Sequence, residues 1–376
     1  MDYTIYKYSL CTALTLMLFF CIYFFVAKTP EKAIFSNYIR SRRIMSMALL
    51  VLSANYSVHL FDGLRFYNHD AAILMNLSTY FLSYWLFSAA FITLLDRFYL
   101  TIRRFAFHIG CWLAFSLLSC SIILFLPKGA IQHIAMVGMA VWLVTYGIYM
   151  AHKIISTYHR AVHLFDDTHS EDIGAYIRWM SILTWWAVIY GVSCGLWTFL
   201  PNKYIFLWIL SSIPFYIYIY CSYINYLLFY EQVETILEQA TPEEQENTTP
   251  DIETTDNETP AYYTSLEKKL SEWLDNNGYT TPGLNIEELS VTLGTNRTYL
   301  SVYINSVYHV SFREWIACHR IEYAKKTLAA NPQMTVAEAS ETAGFLSLSY
   351  FTKIFSEKEG ISPSKWRKKL LSEPAS

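Results

Sequence analysis

The chain has 376 residues and a formal net charge of −3, too long for one ordinary domain and too balanced in charge to single out an acidic or basic partner. Charged residues make up 16% of it and Phe, Trp and Tyr 17%, against roughly 25% charge in soluble proteins, so a water-exposed surface alone does not account for the apolar surplus. Six of the seven cysteines (Cys11, Cys21, Cys111, Cys120, Cys194, Cys221) fall in apolar runs without CxxC or Cys/His ligand spacing, which argues against a disulfide framework or a zinc site and for buried thiols.

A hydrocarbon layer of about 30 Å needs about 20 helical residues. Seven uncharged apolar runs approach that length, at roughly 9–27, 44–61, 71–95, 107–126, 130–151, 176–200 and 204–229. Asn55 and His59 interrupt the second, and His133 with two glycines the fifth, which leaves six or eight spans open. The first run follows a weakly basic start and has no small-x-small cleavage pattern, so it is not expected to be a cleaved signal. Residues 1–229 are therefore expected to form a multi-span membrane domain.

Lys28, Lys32, Arg40, Arg42 and Arg43 follow the first run, Arg97, Arg103 and Arg104 the third, and Lys153, Arg160 and Arg178 the fifth. The intervening segments carry one basic residue each, Lys7, Arg65, Lys128 and Lys203. Basic loops are retained on the cytoplasmic side, so the N-terminus is expected outside and the C-terminal part in the cytoplasm. His59, Asp62, Arg65, His69 and Asp70 cluster at the outer end of the second run. They read either as the polar mouth of a ligand site or as a solvated loop with an internal ion pair.

Beyond Tyr230, Val233, Ile236, Leu237 and Ala240 keep a helical stripe, either a signalling extension of the last span or a frayed helix end. Residues 231–260 hold ten acidic residues and no Lys or Arg. With almost no apolar residues from 241 onward, this part of the linker (230–261) cannot offset ordering entropy and is expected to be a disordered tether.

Residues 262–376 alternate helical patterns with short breaks and show no strand signal, so the whole chain is expected to be all-α. Two segments, near 286–305 and 336–355, share one design. In the first, Ile286, Leu289 and Leu293 face inward, Gly294 turns, and Asn296 caps a helix bearing Leu300 and Ile304. In the second, Val336, Ala339 and Ala343 face inward, Gly344 turns, Ser347 caps, and Phe351 and Phe355 pack beneath. A helix over 312–329 separates them, and Ser362-Pro363 starts the last one.

The stretches TNRTYLSVYIN, SFREWIACHRIEYAKKTL and AGFLSLSYFTKIFSEKEGISPSKWRK carry a specific resemblance. Over about a hundred residues the chain resembles the DNA-binding domain of the AraC/XylS family of bacterial transcription regulators, most of which pair it with a soluble domain. His309 departs from the glycine usual there, and the first recognition helix is less basic than many. The resemblance implies two helix-turn-helix motifs reading double-stranded promoter DNA in successive major grooves, with RNA polymerase as a partner. It carries base contact onto Arg297, Thr298, Ser301 and Val302 in the first unit and Ser349, Tyr350, Thr352 and Lys353 in the second. Phosphate contacts fall to Lys358, Lys365, Arg367 and Lys368. Leu300, Ile304, Trp315, Phe351, Phe355 and Trp366 are expected in the core.

The expected architecture is thus a multi-span transmembrane helical bundle plus a two-motif helix-turn-helix domain, partnered by DNA and the lipid bilayer, with a homodimer open and the signal ligand unknown. No phosphate-cradling Gly-rich loop or ATP-binding segment is present, so neither an enzyme nor a cofactor is expected. The alternative is a membrane transporter or enzyme with a fused regulatory domain. The loop charges make a testable statement about topology: reporter fusions after Arg43, Arg104 and Arg160 should read inside, and fusions after Asp70 and Lys128 outside. An inside reading at Asp70 breaks the seven-span arrangement.

Overall fold

A computed structural model describes residues 2–172, 177–199, 204–239, 259–331 and 333–372. Among these all regular structure is helical, and the described extended pairing is an isolated bridge between His169 and Asn285. The chain divides into two compact units, Met1–His159 with Tyr176–Thr241, and Arg160–Ala175 with Pro242–Ser376.

The first unit is built from α1 (Asp2–Val26), α2 (Ser36–Ser57), α3 (His69–Leu95), α4 (Ile102–Phe125), most of α5 (Ala130–Thr168), α6 (Arg178–Trp197) and α7 (Ile205–Gln239). Six of the described helices are long and apolar enough to cross a membrane by length and composition: Thr4–Val26, Ala33–Asp62, His69–Leu95, Ile102–Phe125, Ala130–Thr168 and Ile205–Leu228. The run at 176–200 is carried by α6, with residues 173–176 and 200–203 outside the described ones. Most of the acidic linker, 240–258, also lies outside them.

Small polar residues let these helices approach closely. Ser41 Oγ donates to Ala90 O at 2.6 Å and Ser46 Oγ to Cys21 O at 2.8 Å, each satisfying a hydroxyl inside an apolar interface. Aromatic rings fill the wider gaps, as where Phe81 stacks on Tyr146 at 4.1 Å. On the outside, α4 and α5 present Leu117, Leu124, Ile134 and Val141, an apolar surface that a water-soluble protein rarely leaves uncovered.

Helices run further than the apolar runs. Arg40, Arg42 and Arg43, expected in a loop, lie inside α2, with Arg42 buried, and Lys153 and Arg160 lie inside α5. Lys and Arg are good helix formers, so a helix need not stop where its apolar stretch does. The expected polar mouth is also divided. After a π turn at Val58–Asp62, Gly63 in the left-handed region (φ 69°) redirects the chain into a short helix, Leu64–Tyr67. This buries His59 and Arg65, while Asp62 and His69 stay exposed and Asp70 half-buried. His59 Nε2 bonds Asn76 Oδ1 at 2.7 Å, and Arg65 Nη2 donates to Thr198 O at 3.1 Å. These residues and Asn55 line a polar chamber of about 30 Å³. It shares Tyr56, Tyr80 and Trp208 with an apolar cavity of about 100 Å³ walled by Phe87, Phe91 and Phe215. Asp62, His69 and Asp70 line neither.

The second unit holds the tail of α5 and α8 (Thr259–Asp275), α9 (Ile286–Leu293), α10 (Arg297–Tyr308), α11 (Phe312–Ala330), α12 (Val336–Thr342), α13 (Leu348–Glu359) and α14 (Pro363–Ser372). Two apolar clusters share α11. Its first turns give Phe312, Trp315 and Ile316 to a core with Ile286, Leu289, Leu300 and Ile304. Its middle gives Ala317, Ile321 and Ala324 to a core with Ala343, Phe345, Phe351 and Phe355, flanked by Trp366. α11 thereby fixes the spacing between the helix pairs α9/α10 and α12/α13.

Backbone conformation at two turns is restrictive. Gly344 has φ 87°, and a Cβ there would meet Thr280 O at 2.2 Å. His309 ends α10 in the left-handed region at φ 57°, a conformation that costs an L-residue about 1 kcal/mol. His309→Gly is therefore expected to stabilise the chain by about 1 kcal/mol and Gly344→Ala to destabilise it by about 2 kcal/mol or more. Thermal unfolding of the full chain checks both, and a stable Gly344→Ala protein would contradict the close approach.

Candidate nucleic-acid interface

Each helix pair is set by its own caps. Asn285 Oδ1 accepts from Glu288 N–H at 2.8 Å to start α9, and Gly294 in the left-handed region ends it. Asn296 Oδ1 accepts from Tyr299 N–H at 2.9 Å to start α10. In the second pair Thr335 and Glu338 cap each other's backbone at the start of α12, and Ser347 Oγ accepts from Tyr350 N–H at 3.3 Å to start α13. The first residue of α10 is therefore Arg297 and the first of α13 Leu348.

From these starts the orientation of each residue follows. Leu300 and Ile304 face the core, while Thr298 is exposed and Arg297, Ser301 and Val302 are half-buried. In α13, Ser349 and Lys353 are exposed and Thr352 is half-buried. Tyr350 departs from the expected outward set: at 6% exposure it packs edge-on against Phe345, with ring centroids 5.9 Å apart. As third residue of α13 it lies on the inner face beside Phe351. Its burial pushes the phenol well above its ordinary pKa, opposed by the Arg313 guanidinium 5.8 Å over the ring.

The expected phosphate contacts also divide. Lys365 and Lys368 are exposed on α14, and Arg367 is half-buried. Lys358 instead pairs with Glu322 of α11 at 3.0 Å, beside Lys325, which bridges Glu322 at 3.3 Å and Glu359 at 2.9 Å. Burial would raise the Glu322 carboxyl, but these ion pairs outweigh it and hold the group below its ordinary value. Lys358 thus ties α13 to α11.

Residues 289–369 match the protein family described as a helix-turn-helix domain. The virulence regulon transcriptional activator VirF of Yersinia enterocolitica is 31% identical over 101 residues, 27% of this chain and 36% of that protein. The thermoregulatory protein LcrF of Yersinia pestis gives the same figures. The HTH-type transcriptional regulator ExsA of Pseudomonas aeruginosa is 37% identical over 82 residues, 22% of this chain and 29% of that protein. The C-terminal segment is an AraC-type helix-turn-helix domain. The chain spans about a third of the length of the curated relatives it matches, and no solved structure matches it.

In the AraC-type domain, three features escaped the sequence reading. Tyr299 on α10 is 55% exposed and Leu348 on α13 is 47% exposed, both beside the expected base-reading positions. Their apolar character reads as core in a periodicity argument, and only the cap positions reveal that they face out. Arg313 sits on the first turn of α11 next to Tyr350, and nothing in its local spacing distinguishes it from a solvated helix residue.

Proposed function

We propose that this chain is a membrane-bound one-component transcription regulator. Its AraC-type domain binds double-stranded promoter DNA sequence-specifically through two helix-turn-helix units, α9/α10 and α12/α13, and engages RNA polymerase. The observation that carries this reading is the family match over 289–369, joined in one chain to six helices apolar and long enough to cross a lipid bilayer. The basic residues that follow alternate apolar runs favour the N-terminus outside and the AraC-type domain in the cytoplasm, and the likeness to bacterial regulators favours a bacterial cytoplasmic membrane. Pairing of two chains as a homodimer would place two such domains on adjacent DNA sites.

The membrane domain serves as sensor, and the two adjoining chambers support that role. A small molecule with a polar head near His59, Arg65, Asn55 and Asn76 and an apolar body against Phe87, Phe91 and Phe215 would fill both. An engineered cavity of about 150 Å³ accommodates benzene, so the 100 Å³ chamber suits a short alkyl or small ring. Benzoate and hexanoate are expected to raise the unfolding temperature of the full chain in nanodiscs. Ser212→Phe, which fills the apolar chamber, should remove that shift, and a shift retained by Ser212→Phe sinks the pocket.

The DNA-binding reading is tested at two lysines. Lys353 is exposed on α13, one turn beyond Ser349, whereas Lys365 is exposed on α14. A base contact contributes about 1 to 3 kcal/mol of discrimination, and a phosphate contact adds affinity without preference. Lys353→Ala in the full chain should weaken binding to its promoter about tenfold and relax preference at one base pair. Lys365→Ala should weaken all sequences alike and flatten the salt slope. Equal losses on promoter and random DNA for Lys353→Ala would remove it from the base-reading set.

A further inference from the structure

The tail of α5 and the described residues after it, 160–172, belong to the same compact unit as the AraC-type domain. Four acidic residues, Asp166, Asp167, Glu171 and Asp172, stand there against one basic residue, Arg160. The segment meets the domain through backbone and side chains. Ser170 N–H donates to Leu284 O at 3.1 Å, and His169 forms its bridge with Asn285, the residue that caps α9. Asp172 lies 2.8 Å and Asp166 3.1 Å from Arg313 Nη1, while Arg313 Nη2 donates to Asp166 at 3.2 Å. Glu171 pairs with Arg320 at 3.0 Å.

These contacts reach α13 from its inner side, through the buried Tyr350 that follows Ser349, a position expected to read DNA. Arg313 covers the ring of Tyr350 on α13. On the α10 side, burial and the charge of Arg297 together hold His169 neutral, with its pKa lowered to about 4. The acidic segment therefore meets Asn285 at the start of α9 and, through Arg313, the ring of Tyr350 on α13. Asp166 meets Nη1 and Nη2 with its two oxygens, the fork that a phosphate's oxygens also offer an arginine, and Asp172 adds a second carboxylate at Nη1.

We propose that Arg313 is a DNA-phosphate contact and that Asp166 and Asp172 mask it, so that full DNA affinity requires these two carboxylates to release Arg313 while Glu171 stays on Arg320. This rests on the DNA-binding reading given above. The paired side chains are 16 to 22% exposed, so the carboxylates hold Arg313 with reduced screening and compete directly with phosphate. Arg320 is a positioning residue in this arrangement. Its side chain is fully buried and donates to Tyr279 O and Thr281 O at 2.7 and 2.8 Å, contacts that DNA binding has no cause to break.

The test keeps Glu171 and Arg320 untouched so that the fold is retained. Asp166→Asn combined with Asp172→Asn, in the full chain in nanodiscs, is compared with wild type for binding to a labelled random-sequence 40-base-pair duplex, about four helical turns. The variant should bind about fivefold or more tightly, with a salt slope steeper by about one unit. Adding Arg313→Gln should remove both gains. Unchanged or weaker binding by the double variant, with its helical circular dichroism preserved, overturns the masking, as does a gain that survives Arg313→Gln. Absence of binding by wild type and variant alike, on promoter and random duplex, overturns the DNA-binding reading itself and the masking with it.

Discussion

A fully buried guanidinium organises the C-terminal unit. Arg320 projects from the middle of α11 into the interior, with no exposed surface, where an unpaired charge would cost several kcal/mol. Its fork is satisfied by the carbonyls of Tyr279 and Thr281 and by Glu171, and its flat face lies 5.5 Å over the ring of Phe345. One side chain thus joins the loop ahead of α9, the turn between α12 and α13, and the segment after α5. The close approach of Gly344 to Thr280 depends on that same loop staying in place. With the loop fixed, the two helix pairs cannot drift apart along α11, and a fixed separation is what reading two successive grooves demands.

The same unit shows how electrostatics is shared between folding and recognition. Lys358 and Lys325 are committed to Glu322 and Glu359, which lock α13 against α11. Burial raises the pKa of Glu171, and the adjacent Arg320 guanidinium opposes that rise. Surface ion pairs seldom add much, but these are partly buried and act as a network across two helices.

Much of this was legible in the amino-acid order, and the rest was hidden for physical reasons. Asn296, Ser347 and Gly294 announce helix starts and a stop because capping and left-handed backbone are local chemistry. The core residues Leu300, Ile304, Phe351 and Phe355 follow from helical period. Tyr350 did not, since an aromatic residue adjacent to Phe351 suits either face until the cap fixes the register. The polar mouth divided because a π turn and Gly63 rotate His59 and Arg65 away from Asp62, a shift that no 3.6-residue period anticipates. The extension of α5 and its pairing with Arg313 join residues more than 140 positions apart, and no local pattern encodes such a contact.

The outward side of α10 and α13 carries Thr298, Tyr299, Leu348 and Ser349 alongside Lys353, more hydroxyl and apolar surface than charge. Non-specific affinity for a duplex comes almost entirely from cations meeting phosphates, and a genome offers about 10⁶ to 10⁹ competing sites. A surface of this composition would hold arbitrary DNA briefly and gain its residence time from thymine methyls and excluded water. Such a protein would find its target through many short encounters rather than long sliding excursions.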